Sequence, residues 1–326
     1  MKSVKNVAYT IGKTLGGVKV LKYLARNHPR ILMYHRIRAT AEGDGIHVDV
    51  FRQQMEVLAR DFNVVSLESL LQLAHNNQPL PQHAVVITFD DGYEDFYLNA
   101  FPILQSLALP ATVFVTTGFV SDETWLWPDK IKYMLAESQI DNLLVPELNQ
   151  TFTLSRDKLL AWHGIADYCL TIPNKQKNPF INELAIKLGV TLPVSAPDMY
   201  KPLNWDEVKA MSASGIDIGS HSVTHPVMTK LELADLRDEL ENSKLTIEQM
   251  LNKPVTGFCF PNGLSEDINE EVQGEINRAG YQYALAAFPT LNPLADRWAV
   301  GRYPANPDIS EFEKIVYGFR MQRLSN

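Results

Sequence analysis

Ala84-Val85-Val86-Ile87-Thr88-Phe89-Asp90-Asp91-Gly92 sets the frame for this chain. Its first four residues are apolar and mostly β-branched, as in a strand covered on both faces of a parallel sheet. Two adjacent carboxylates follow. Like charges held together in low dielectric raise each other's pKa, so the pair is costly unless a cation offsets it. Far downstream stands His221-Ser222-Val223-Thr224-His225. Its two imidazoles, four residues apart, would share one face of a helical turn. One carboxylate and two imidazoles leave positions open on a divalent ion, which a catalytic metal site requires. Adjacent residues on a strand point apart, so one aspartate can hold the ion while the other reaches a water molecule.

Outward from these motifs, short apolar runs alternate with helical patterns. Strands are expected at 31–35, 63–66, 84–89, 111–116, 216–220, 255–260 and 283–287. Helices are expected at 50–61, 67–76, 94–107, 205–213 and 231–251. Two of these carry start signals, Asn204 with Glu207 three residues on and Thr229 with Glu232 three on. The alternation predicts an α/β fold with a parallel sheet or barrel, whose chemistry sits at the C-terminal strand ends. His35, Asp90, Asp91 and His221 all fall at such ends. Residues 120–203, with Trp125, Trp127 and a helical segment near 182–188, break the rhythm and are expected to form an insertion flanking the cleft.

The net charge of the 326-residue chain is -8, yet residues 1–38 contain no Asp or Glu. That segment carries Lys2, Lys5, Lys13, Lys19, Lys22, Arg26, Arg30, Arg36 and Arg38, while Val4, Ala8, Ile11, Leu15, Val18, Leu21 and Leu24 recur at helical spacing. Residues 1–29 are therefore expected to form a basic amphipathic helix, distinct from a body spanning 30–326. Such a helix lies on an anionic membrane surface or packs on the acidic body of its own chain. Lysines interrupt any apolar core, so it is a poor secretory signal. No apolar stretch reaches spanning length, and Cys169 and Cys259 alone give no disulfide framework. The expectation is a cytoplasmic protein, peripheral at the inner membrane face through residues 1–27. The acidic remainder argues against nucleic acid as a partner.

Thr88–Gly92 and His221–His225 also match, unaltered and in order, the TFDDG and H(S/T)xxH motifs of a known family. With Asn204-Trp205-Asp206-Glu207 and Gly215–Ser220, they make the chain resemble the polysaccharide deacetylases, the NodB-like carbohydrate esterases, over roughly residues 30 to 305. The resemblance implies a distorted (β/α)7 barrel and a metal-dependent N-deacetylase. Its substrate would be an N-acetylated amino sugar of a bacterial surface glycan or a lipid-linked precursor. It assigns Asp91, His221 and His225 to the metal, with zinc expected and Co, Fe or Ni also suited to such ligands, and Asp90 to the general base. The family's general acid is usually a histidine on a late strand, but the last histidine here is His225. Met33-Tyr34-His35-Arg36 instead resembles the subgroup in which the acid has moved to the first strand by circular permutation, which assigns that role to His35.

The resemblance weakens at the third motif. Where the family has Arg-Pro-Pro-Tyr-Gly, this chain has Cys259-Phe260-Pro261-Asn262-Gly263. The arginine that orients the base is missing, and Arg302 in Val300-Gly301-Arg302-Tyr303-Pro304 is the expected replacement. The Pro261-Asn262-Gly263 turn is kept, so the Asn262 backbone N–H is expected to complete an oxyanion hole. Asp296-Arg297-Trp298 partly matches the fourth motif, which would make Asp296 an orienter of the acid histidine and Trp298 a wall of the cleft. Tyr93, after the Asp-Asp-Gly turn, is expected to line the sugar site. Cys259 is expected to be a small buried hydrophobe. The altered third motif also keeps open a glycan-binding module without catalysis, against which the intact Asp90, Asp91, His221 and His225 argue.

Overall fold

The computed structural model describes residues 17–40 and 43–319. The apolar run of the sequence is a strand, Ala84–Phe89, buried along its whole length. In chain order the strands are β1 (Arg30–Tyr34), β2 (Ile37–Arg38), β3 (Ile46–His47), β4 (Asn63–Val64), β5 (Ala84–Phe89), β6 (Thr112–Val115), β7 (Asn142–Val145), β8 (Gln150–Thr153), β9 (Asp217–Ser220), β10 (Gly257–Cys259), β11 (Tyr283–Leu285) and β12 (Tyr303–Pro304). The main sheet is parallel throughout and ordered β11-β10-β9-β6-β5-β1-β12, with β4 beside the start of β5.

The sheet curls onto itself through one segment. Val300 bridges Leu285 of β11, bonding Ala284 and Ala286 at 2.9 Å each, and a few residues on Tyr303–Pro304 pairs with β1. Both sheet edges thus end on residues 300–304, and the ring has the seven members of a distorted (β/α)7 barrel. Seven strands were expected, but the membership differs. β4 stands outside the ring, and the seventh member is β12, a two-residue strand whose proline breaks any apolar pattern.

Helices pack around the ring. Trp205–Ala213 begins with the full capping box between Asn204 and Glu207 that its sequence predicts. The helix expected from 231 starts later, at Leu233, because Thr229 is taken into a 3-10 turn, Met228–Lys230. The helix expected over 94–107 is split into a π turn, Phe96–Ala100, and a helix, Phe101–Ser106. Pro102, which lacks an N–H, sits at the start of the second piece, where the missing donor does least harm. Between barrel and helices, Tyr34, Phe89 and Phe96 pack with ring centroids 5.1 and 4.6 Å apart. Each such buried ring contributes roughly 1.5–3 kcal/mol.

The segment after β6 is folded around a second core. The helices Trp127–Glu137, Leu154–Thr171 and Asn174–Leu188, with the β7–β8 hairpin, enclose Ile131, Met134, Phe152, Ile165 and Ile181. The hairpin was not expected from the sequence. Of the N-terminal basic helix, residues 1–16 lie outside the described residues, and Gly17–Leu24 is helical. Lys22 reaches Asp61 at 3.9 Å and stands over the Phe62 ring, and the Arg26 carbonyl accepts a bond from the His83 N–H. These partners begin β4 and β5, so the helix lies at the N-terminal end of the barrel. Val20, Tyr23 and Leu24 are exposed on it. No helix among the described residues is long and apolar enough to cross a membrane.

Candidate active site

At the C-terminal end of β5 the backbone turns through left-handed conformations, φ +78° at Asp91 and +93° at Gly92. The Asp90 N–H still extends the ladder, bonding the Tyr34 carbonyl at 3.0 Å, while the Asp91 carbonyl accepts from Thr116 N–H at 3.1 Å. The turn sends the two carboxylates to different partners. Two strands away, the His221 N–H prolongs β9 by bonding Val115, and the chain then reverses at Ser222 (φ +68°) and His225 (φ +57°). The histidines do not share a helical turn, as their spacing had suggested.

Left-handed non-glycine residues cost on the order of 1–3 kcal/mol each and persist only where surroundings fix them. Here the fixing contacts are explicit. The Ser222 and Val223 carbonyls accept from Thr117 and Gly118 N–H at 3.1 and 3.0 Å. The Glu239 carboxylate accepts from Val223 and Thr224 N–H at 2.7 and 3.0 Å. From the insertion, the Trp127 indole N–H donates to the His225 carbonyl at 3.1 Å.

Nε2 of His221 and Nε2 of His225 each come to 3.4 Å from Asp91 Oδ1. All three residues are buried, and their ligand atoms lie within 4.8 Å of one another. His221 Nδ1 lies 2.8 Å from the Cys259 carbonyl, which assigns the ring proton to Nδ1 and leaves the Nε2 lone pair facing Asp91. A tetrahedral ion with bonds of ~2.1 Å holds its ligand atoms about 3.4 Å apart. The two imidazoles and the carboxylate therefore fit a small divalent ion in both spacing and donor type. Burial opposes the Asp91 charge, but the His221 and His225 bonds outweigh it and hold the carboxyl well below its ordinary range.

Asp90 has a different partner. Its two oxygens each receive a 2.7 Å bond from Nη1 and Nη2 of Arg302. The fully buried guanidinium also bonds the Ala286 carbonyl, Thr88 Oγ1 and Cys259 Sγ. Burial would raise the Asp90 pKa, and Arg302 reverses the shift to a net lowering. Cys259 occupies the position of the family's arginine, and the guanidinium of Arg302 lies against its small thiol at 3.0 Å. His35, half-exposed, places Nε2 4.0 Å from Asp90 Oδ2.

His35, the two aspartates and the two histidines line a cavity of about 760 Å³, with Arg302 behind Asp90. On the barrel side it shows His35, Asp90, Asp91, His221, His225 and Asn262; the insertion adds Leu126, Pro128, Asp129, Lys132 and Trp162. Asn262 and Gly263 both have φ +64°. Pro261 accepts the Gly263 N–H at 2.8 Å and shapes this turn from behind. Asn262 Nδ2 is buried without a partner among the described residues. Tyr93 lines the cavity, but its hydroxyl is engaged, donating to Asp129 Oδ2 at 2.6 Å with the Arg36 guanidinium 4.1 Å from its ring centre.

Asp296 and Trp298 are not brought to the cavity. The Arg297 carbonyl accepts from Ala284 N–H at the start of β11, so residues 296–298 sit toward the strand's N-terminal end, away from the site. Asp296 bonds the Trp298 N–H and Gln273 instead of a histidine. Three contributors went unseen in the sequence: Asp129, Glu239 and the anchoring contact of Trp127. Asp129 and Glu239 look there like ordinary helix acids, and only the tertiary arrangement gives them partners.

A family model described as Polysaccharide deacetylase matches residues 77–142 and 159–284. Over 67 residues the chain is 39% identical to the poly-beta-1,6-N-acetyl-D-glucosamine N-deacetylase of Escherichia coli (strain K12), a match covering 20% of this chain and 10% of that protein. Over 264 residues it is 31% identical to YxkH of Bacillus subtilis (strain 168), provisionally named a polysaccharide deacetylase, covering 79% of this chain and 64% of that one. The chain thus spans less than two thirds of either relative's length. The solved structure of IcaB from Ammonifex degensii superposes with a TM-score of 0.59 at 16% identity, covering 90% of this chain and 97% of that chain, a likeness of fold.

Proposed function

Because the chain belongs to the polysaccharide deacetylase family, we propose that it hydrolyses the acetamide of N-acetylated amino sugars in a bacterial surface glycan or its lipid-linked precursor. The observation that carries this is the Asp91, His221 and His225 cluster at ligand spacing beside an Asp90 clamped by Arg302. A divalent ion held there, zinc first and Co, Fe or Ni by the same donor set, supplies an acidified water and a polarised carbonyl.

The chain's own groups do the rest. Asp90 is the base: Arg302 keeps it ionised, and each carboxylate oxygen has a lone pair beyond the one the guanidinium takes. It receives one proton from the attacking water as the oxygen joins the acetyl carbon. His35 at the mouth is the acid and gives a proton to the amine as the C–N bond breaks, so acetate and a free amino sugar leave. The turn at Asn262 supplies a backbone N–H to the developing oxyanion. The E. coli relative's named substrate supports an N-acetylglucosamine polymer as the class. Residues 30–326, insertion included, form the catalytic unit in this reading. Residues 1–27 contact an anionic membrane, which the cationic segment and the exposed Val20, Tyr23 and Leu24 support.

The test is acetate release from N-acetylglucosamine oligomers with and without added Zn or Co, alongside Asp91→Ala and His225→Ala. Wild type is expected to release acetate only with the ion. It should also gain about 2.7 kcal/mol of stability at a hundredfold excess over the dissociation constant, and both variants should lose both effects. Tight ion binding without acetate would sink the enzyme reading and leave a glycan-binding module.

A further inference from the structure

We propose that Asp129 is a sugar-recognising residue that accepts a hydrogen bond from a ring hydroxyl of the bound amino sugar, with Tyr93 fixing its carboxylate in place. The inference rests on the glycan reading above and adds a subsite to it.

Asp129 is the third residue of the helix Trp127–Glu137 and reaches the cavity from the insertion, only 4% exposed. Its Oδ2 receives the Tyr93 hydroxyl at 2.6 Å, while Oδ1 bonds no other described residue and is left to the solvent of the cavity. The neighbouring cations are engaged elsewhere. Arg36 bonds Asp95 at 2.8 Å and the Met199 carbonyl at 2.6 Å, and Lys132 pairs with Asp44. Burial, with the charge of Asp91 nearby, pushes the Asp129 carboxyl up to about 6 against the Tyr93 bond that favours its charge.

A carboxylate oxygen that bonds water on a cavity wall loses that partner when a ligand fills the cavity, and an acid left buried and unbonded is costly. A donor arriving with the ligand removes the mismatch. Asp129 is too far from the Asp91 cluster to share an ion with it, being absent from every group of ligand atoms close enough to do so. A neutral O–H suits the site better. Apolar Leu126 and Ile46 with the indole of Trp162 offer a surface for a pyranose face, and Asp129 offers an acceptor for its edge. Tyr93 is already committed as donor, so the pair can only accept. The site therefore selects a sugar with a free hydroxyl over an acetylated molecule without one.

The test compares wild type, Asp129→Asn and Tyr93→Phe on N-acetylglucosamine oligomers and on p-nitrophenyl acetate, which has no ring hydroxyl. Charged-acceptor bonds of this kind correspond to roughly tenfold or more in affinity. Asp129→Asn should raise KM for the oligomer by about that factor with little change in kcat, and its loss on the ester should be several-fold smaller. Tyr93→Phe should show the same split more weakly. Calorimetric binding of the oligomer reads the subsite even without turnover, with the Asp129→Asn dissociation constant expected to rise by the same factor. A melting temperature for Asp129→Asn at pH 8 no lower than wild type separates recognition from a structural role. Unchanged oligomer affinity in Asp129→Asn, or equal losses on oligomer and ester, overturns the inference. Wild type that binds the oligomer but releases no acetate overturns the enzyme reading alone.

Discussion

Among the described residues two arginines are fully buried, and their charges fare in opposite ways. Arg302, beneath the cavity, meets the Asp90 carboxylate through two bonds, and its pKa is driven up although burial works against it. The Arg30 side chain, at the start of β1, bonds only the Ala25 and His28 carbonyls among the described residues, at 2.8 and 2.7 Å, and burial drags its pKa down to about 10. Its Nε and Nη2 have no partner among the described residues. Backbone dipoles soften a buried cation without neutralising it, whereas a carboxylate reverses the sign of the shift. Opposed full charges are concentrated at the end that holds the candidate chemistry. Asp129 is a third case, at the cavity but with a tyrosine in place of a counter-charge.

Removing Arg302 should have the largest effect. Arg302→Ala leaves Asp90 buried and unpaired, at a cost on the order of 3–5 kcal/mol. On the proposed deacetylase reading it should also lower acetate release by on the order of a hundredfold, because the proposed base would no longer stay ionised or oriented. Urea unfolding and turnover check both, and a variant as stable as wild type would break the contrast between the two ends.

Asp129→Asn should come next, and its effect depends on pH. The folded pKa, about 6, lies above an unfolded value near ~3.9. Stability from this group is therefore fully present below about pH 4 and lost as pH rises through 6. Asparagine stays neutral at every pH. The variant should match wild type near pH 4 and exceed it by up to about 3 kcal/mol at pH 8. Melting temperatures at the two pH values decide it; a gain that is equal at both would mean the charge is not the cause.

The smallest effect belongs to Arg30→Met, which replaces a poorly partnered cation by an apolar chain of similar reach. Urea unfolding should place it within about 1 kcal/mol of wild type, since buried charges replaced by well-packed apolar groups often cost nothing. A loss as large as that of Arg302→Ala would erase the distinction.

What the sequence disclosed follows the range of the forces involved. The strand Ala84–Phe89, the capping box at Asn204 and the paired Asp90 and Asp91 are local patterns, and each lies where it was expected. The pairing of Arg302 with Asp90 spans 212 residues but was legible, because a missing arginine leaves a buried carboxylate in need of one. The left-handed turns at Ser222 and His225 were hidden, since they are imposed by Glu239, Trp127 and the β6 end and not by their own side chains. Asp296 and Trp298 misled because a short motif carries no information about strand register. β12 escaped because two residues are too few for a period to show, and it is made a strand by its pairing with β1, just after Val300 bridges β11.

The placement of the helix Gly17–Leu24 sets a geometry of access. It is fastened beside the residues that begin β4 and β5, whereas Asp90 and Asp91 lie beyond the other end of β5. A six-residue strand rises ~20 Å, so a surface gripped by that helix would lie at least that far from the cavity, with the opening facing away from it.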